Sequence, residues 1–290
     1  MATFRFSAFS DEFSPSLDEQ IRGLLENNVH LMEPRNVDGT NISDLTSEAA
    51  MDMRSKLDAA GIGISALGSP LGKIKIDDDF EAHKIKLRRT CEIAKILGAD
   101  RIRMFSFFIP KGTEDYSVYR DEVMRRLGEM IDIAEEYDIL LCHENEKGIY
   151  GDTPERCLDI QKTFPGRIGC VFDTANFLQV GATPFPDGFM LLRDYITYMH
   201  VKDCAANGTV VVAGTGVGCL PETFAVLNRM VKDEMNVTVE PHLRVFQGLN
   251  ELEAGEKTRI QNSAFASSAE AFAAAVNGAR MCMPLTATLL

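Results

Sequence analysis

Apolar residues recur along this chain in two rhythms that take turns. Short runs rich in β-branched and aromatic residues lie at 3–9 (TFRFSAF), 30–34 (HLMEP), 63–69 (GISALGS), 101–108 (RIRMFSFF), 139–145 (ILLCHEN), 168–174 (IGCVFDT), 195–201 (YITYMHV) and 237–243 (VTVEPHL). Between them the spacing changes to that of a helix. Leu17, Ile21, Leu24 and Leu25 fall on one face of SLDEQIRGLLENN, and Val123, Leu127, Met130, Ile131 and Ala134 do so in DEVMRRLGEMIDIAEE. Several helical stretches stop at Gly or Asn just before the next run, as in DAAGIGIS and AKILGADRIRM. The runs are mostly apolar on both faces, the pattern of a sheet covered by helices.

Eight β-then-α units predict an α/β fold, a single (β/α)8 TIM barrel spanning residues 1–290 as one domain. The competing doubly wound sheet would place G-x-G-x-x-G after the first strand, where this chain reads FSDEFSPS. The segment SSAEAFAAAVNGARM reads as a closing helix followed by a short tail.

Composition narrows the setting. The chain has 290 residues, 45% hydrophobic and 25% charged, so its core needs no disulfides. Its seven cysteines are scattered and form no C-x-x-C pair, which points to reduced thiols and a cytoplasmic location. The opening MATFRFSAFSDEF lacks the features of a signal peptide, and no apolar run approaches the roughly 18 residues of a membrane span. A formal charge of −13 repels phosphodiester backbones, so neither nucleic acid nor membrane is expected as a partner. A local basic pocket for a small anion stays compatible with that balance.

Barrel active sites are built where strands end. The fifth run ends in His143-Glu144-Asn145-Glu146, the sixth in Asp173, the seventh in His200, and the eighth in Glu240 followed by Pro241 and His242. Alone, an Asp at a strand end is an ordinary helix cap, and a His there an ordinary hydrogen-bonded side chain. Four successive strands delivering carboxylate or imidazole to one rim is different, because packed like charges repel unless something pairs them. Two Glu, one Asp and one neutral His suit a divalent cation such as Mn²⁺, Mg²⁺ or Zn²⁺.

These segments carry a resemblance. CHENEKGIYGDTPE, FDTANF, MHVKD, the AGTGVG turn and VEPH are similar to the xylose isomerase-like TIM barrels, especially the sugar phosphate isomerases/epimerases, and the likeness runs from SAFSDE to VEPHL. It implies that Glu144, Asp173, His200 and Glu240 bind one divalent metal ion (Mn²⁺, Mg²⁺ or Zn²⁺). Glu146 rivals Glu144 for the first of these positions; the Glu-Asn pair favours Glu144. The implied activity is that of an isomerase or epimerase of a sugar or sugar derivative. It moves a proton next to a carbonyl through a metal-stabilised enediolate, with Glu144 and Glu240 as acid and base. The partner is then a small-molecule carbohydrate, and the family allows a homo-oligomer, dimer or tetramer.

Further rim residues are candidates for substrate contact. Glu33 and Arg35 can bind sugar hydroxyls or each other, Ser69 stands at the end of the third run with Lys73 after it, and Asn176 stands three residues after Asp173. Lys202 and His242 complete the set, and Asp203 can orient Lys202 or the following loop. The alternative chemistry is a metal-dependent dehydratase of a keto-polyol of the keto-inositol type. A metal-binding barrel without catalysis, or an endonuclease IV-like phosphodiesterase, stands further off. The latter's three-zinc site needs more histidines than the five present here.

Overall fold

The computed structural model describes residues 2–249 and 258–290. Eight parallel strands form the barrel: β1 (Thr3–Ala8), β2 (Leu31–Met32), β3 in two pieces (Gly63–Ile64 and Leu67–Gly68), β4 (Arg101–Met104), β5 (Leu140–Glu144), β6 (Gly169–Asp173), β7 (Ile196–Val201) and β8 (Glu234–Val239). The hydrogen-bonded path runs from the first piece of β3 through β2, β1, β8, β7, β6, β5 and β4 to the second piece of β3. One half of β3 therefore pairs with β2 and the other with β4, so the chain itself closes the ring. Ser65 N still donates to Met32 O at 3.0 Å and Gly68 N to Pro34 O at 2.9 Å across the break.

The helices lie where the 3.6-residue spacing places them. They are α1 (Leu17–Glu26), α2 (Ser47–Ala60), α3 (Phe80–Leu97), α4 (Arg120–Glu135), α5 (Pro154–Thr163), α6 (Thr174–Gln179), α7 (Phe189–Leu192), α8 (Leu220–Met230) and α9 (Ser268–Met281). Thr46 and Asp79 cap the starts of α2 and α3 through their side chains, and left-handed Gly61 (φ 68°) and Gly98 (φ 74°) end the same two helices. The outward-facing strand residues, such as Phe4, Phe6, Met104, Leu141, Phe172 and Val237, join the helices in one continuous apolar cluster.

Two sequence expectations change. The run at 101–108 is strand only as far as Met104; Phe105 and Phe107 stay fully buried in the loop, with Phe107 at φ 66°. Burial, rather than pairing, keeps that loop apolar. The strands are also not apolar on both faces. The barrel interior has a small apolar layer of Ala66, Cys142, Val171 and Tyr198. Above it, inward-pointing polar groups satisfy one another: Ser7 Oγ and Ser65 Oγ lie 2.7 Å apart, and Thr238 Oγ1 donates to Glu33 Oε2 at 2.6 Å. An eight-stranded barrel has little room inside, and self-paired polar groups fill it without leaving buried donors unmet. Among the described residues no helix is long and apolar enough to cross a membrane.

Candidate metal centre

Strand alternation decides which side chains reach the barrel mouth. In β5, Leu141 and His143 point outward while Cys142 and Glu144 point inward; in β6 the inward pair is Val171 and Asp173. In β7, Tyr198, His200 and then Lys202 share the inner face, and in β8 Thr238 is followed by Glu240. Parallel register holds these ends level, with His200 opposite both Asp173 and Thr238.

One ligand atom from each of Glu144, Asp173, His200 and Glu240 lies within 4.8 Å of the other three, and all four residues are buried. His200 Nδ1 is 2.9 Å from Glu144 Oε1, while its Nε2 faces Glu33 at 3.2 Å. Asp173 uses Oδ1 to accept from Asn176 N at 2.9 Å, capping α6. Its Oδ2 is buried without a hydrogen bond, and Lys202 Nζ stands 3.3 Å away. The sequence sets helix cap and ligand as rival roles for this residue; the cap occupies only Oδ1 and leaves Oδ2 unbonded. An orphaned buried carboxylate oxygen amid hard oxygen and imidazole donors fits a divalent cation.

Cations back both glutamates. Arg103 donates to Glu144 Oε2 at 2.9 Å, Lys202 to Glu240 Oε2 at 2.7 Å, and Arg35 to Glu240 Oε1 at 3.4 Å. Burial would raise the Glu144 carboxyl, but the charges of His200 and Arg103 outweigh it and bring it to about 2. Glu240 is likewise held well below its ordinary value, burial being overcome by Lys202, His242, His200 and Arg35. Asp173 goes the other way, to about 7, through burial and the neighbouring charges of Glu240 and Glu144, with Lys202 opposing. Burial lowers the His200 imidazole, yet Glu144 and Glu33 pull it up to about 10.

The other candidate residues divide. Arg35, Lys73, Asn176, Lys202 and His242 line a cavity of about 850 Å³ together with Glu144 and Glu240. Asn176 Nδ2 donates to Asn145 O at 2.9 Å and reaches Glu144 Oε1 at 3.4 Å. Glu146 stands apart from the four-residue cluster, accepting from Lys73 Nζ at 3.0 Å. Glu33 and Arg35 do not pair: Glu33 takes His200, Tyr198 and Thr238, whereas Arg35 takes Asp11, Glu12 and Glu240. Ser69 is fully buried and does not line the cavity; its hydroxyl donates to Arg103 O at 2.6 Å and accepts from Leu71 N, closing a turn. Asp203 holds the following loop rather than Lys202, accepting from the amides of Cys204, Gly214, Gly216 and Gly218.

Three residues were missed. Asp11 and Glu12, in a single 3-10 turn after β1, anchor Arg35, and Glu12 Oε1 lies 2.9 Å from His242 Nδ1. Arg103 had a signal, since it alternates with Ile102 and Met104 in β4 and so places a charge on the inner face.

The solved structures similar to this chain share its architecture at low identity. A D-psicose 3-epimerase with D-tagatose from Clostridium cellulolyticum H10 matches with a TM-score of 0.70 and 13% identity, covering 96% of this chain and 99% of that one. The probable 3-DHS dehydratase AsbF involved in petrobactin synthesis from Bacillus anthracis matches at 0.70 and 15%, covering 94% and 97%. The IOLI protein with a binding zinc atom matches at 0.69 and 15%, covering 96% and 97%. No curated protein gives a significant match. The family model described as xylose isomerase-like TIM barrel matches residues 26–262, and with eight parallel strands closing around an inward carboxylate cluster, the chain belongs to that family.

Proposed function

We propose that this protein is a divalent-metal-dependent isomerase or epimerase of a sugar or sugar derivative, with Glu144, Asp173, His200 and Glu240 as the metal ligands. One observation carries the reading: four successive strand ends bring these side chains within 4.8 Å, and two of them, Glu144 and Glu240, also line the large cavity. A divalent ion held there supplies Lewis-acid polarisation of substrate oxygens, which lowers the cost of removing a proton beside a carbonyl. The chain's own groups provide the rest. Arg103 beside Glu144, and Arg35 and Lys202 beside Glu240, favour the ionised carboxylates, so either can accept a proton from carbon and the other can return one. Lys202, on the cavity wall beside Glu240, presents an ammonium to a substrate oxygen, and Asn176 Nδ2 donates to Glu144 Oε1 at 3.4 Å. The epimerase and dehydratase structures named above share the fold, which is compatible with either chemistry.

The test is a panel of ketoses and keto-inositols incubated with Mn²⁺-loaded protein in D₂O and followed by NMR. Exchange of a carbon-bound proton with solvent, abolished in Glu144→Gln and Glu240→Gln, is the expected result. Net loss of water would assign dehydration instead. Turnover and thermal stability that survive exhaustive chelation would remove the metal from the mechanism.

A further inference from the structure

Among the described residues, the charges that line the cavity run against the balance of the molecule. The chain has 30 basic and 43 acidic side chains, yet among the described residues seven lysines and arginines line the cavity against five aspartates and glutamates. Most of those acids are already committed within the protein. Glu144 pairs with Arg103, Glu240 with Arg35 and Lys202, Asp152 with Arg156, and Glu146 with Lys73. What remains is Lys75, Lys111 and Lys147 against Asp77, and the three ammonium groups have no ion-pair partner among the described residues.

Backbone bonds fix where these lysines stand. They come from the loops after β3, β4 and β5, which Phe108 ties together by bridging Lys75 on one side and Ile149 on the other. Phe108 N donates to Ile74 O at 2.8 Å, Ile76 N to Phe108 O at 3.0 Å, and Ile109 N to Gly148 O at 2.9 Å. Lys75, Lys111 and Lys147 therefore rise from a three-loop platform rather than from independent loops. Lys75 and Lys111 are exposed while Glu144 is buried, so the platform forms the mouth and the carboxylate cluster the floor.

We propose that the substrate carries an anionic group, a carboxylate or a phosphate monoester, at the end remote from the reacting carbonyl, and that Lys75, Lys111 and Lys147 receive it. This rests on the reading of the cavity as the substrate site. Lysine ammoniums act as point charges without the bidentate geometry of arginine, so they select for charge more than for the shape of the anion. The same three cations draw an anion towards the mouth of an otherwise repelling molecule, an effect that salt weakens.

The experiment compares dissociation constants of D-fructose, D-fructose 6-phosphate and 5-keto-D-gluconate by titration calorimetry, with and without Mn²⁺, at low and high ionic strength. The expected result is that at least one charged probe binds roughly tenfold or more tightly than fructose at low salt, with the advantage shrinking as salt is added. Whichever charged probe gains more identifies phosphate or carboxylate as the source. In Lys75→Gln/Lys111→Gln/Lys147→Gln most of that advantage disappears, while Mn²⁺ binding persists. Equal affinity for charged and neutral probes, or an advantage that survives the triple variant, overturns the proposal. Failure of the wild-type protein to bind Mn²⁺ would instead bring down the metal-dependent reading and leave the anion comparison, made without metal, standing.

Discussion

Asp173 joins the fold to the proposed metal site. Its Oδ1 caps α6 and its Oδ2 accepts no hydrogen bond, so two substitutions separate the cap from the proposed cation contact. Asp173→Asn keeps an oxygen to accept from Asn176 N, so its folding cost is confined to the lost attraction to Lys202, while metal affinity falls sharply. Asp173→Ala loses the cap as well, at a further cost of about 0.5–2 kcal/mol. Urea denaturation and metal titration of both variants check this, and equal stability of the two would refute the cap. A second prediction concerns His83, buried on α3, where Nε2 accepts from Gly72 N at 2.9 Å. Burial, with Lys86 and Arg126 adding to it, lowers its imidazole to about 4. A folded-state value below the unfolded one means that stability is full above about pH 6.5 and is lost as pH falls through 4, a change on the order of 3 kcal/mol. His83→Gln should be less stable at neutral pH and show a flatter loss across that window. At this scale the inward carboxylates were legible because strand alternation alone aims them. Arg35 with Glu240, 205 residues apart, was not, because no local pattern encodes which distant charge a buried arginine meets.

Among elements, the turn at 214–218 has the clearest physical cause. A triplet such as GTG is weak as a sequence signal, yet here Asp203 accepts from the amides of Gly214, Gly216 and, two residues on, Gly218, each at 3.0 Å. Burial raises the Asp203 carboxyl while those amides hold it down. A Cβ on Gly216 would sit 2.4 Å from both Asp203 Oδ1 and Cys204 O, so only glycine fits beneath the carboxylate. Gly216→Ala should therefore cost on the order of 2 kcal/mol or more, and Asp203→Ala a similar amount by stranding the amides. Thermal denaturation measures both; tolerance of Gly216→Ala would show that the turn yields more easily than its contacts indicate. The barrel strands themselves were legible from apolar runs and helix stops. Their ends were less so, since β2 pairs over only two residues and β3 divides between two neighbours, choices made by ring closure rather than by composition.

Taken as a whole, the ring places the candidate ligands on β5, β6, β7 and just beyond β8, while residues of and after β1 and β2 supply the polar groups opposite them. A cation bound there would connect half the barrel circumference at one point. Because these residues lie from 144 to 240 along the chain, the unfolded protein cannot hold them together, and metal binding must favour the folded state. At a free metal concentration about a hundredfold above the dissociation constant, that linkage is worth about 2.7 kcal/mol. For a chain of this size it corresponds to a rise of several degrees in Tm. Scanning calorimetry with Mn²⁺, Mg²⁺ or Zn²⁺ should show the rise for at least one ion, reversed by a chelator and absent in His200→Ala and Asp173→Asn. The variants matter more than the wild type here, since adventitious binding to a surface of net charge −13 would also raise Tm. A shift retained in both would place the cation elsewhere on the molecule, and the four-residue cluster would then be a self-paired polar core held by Arg103, Arg35 and Lys202.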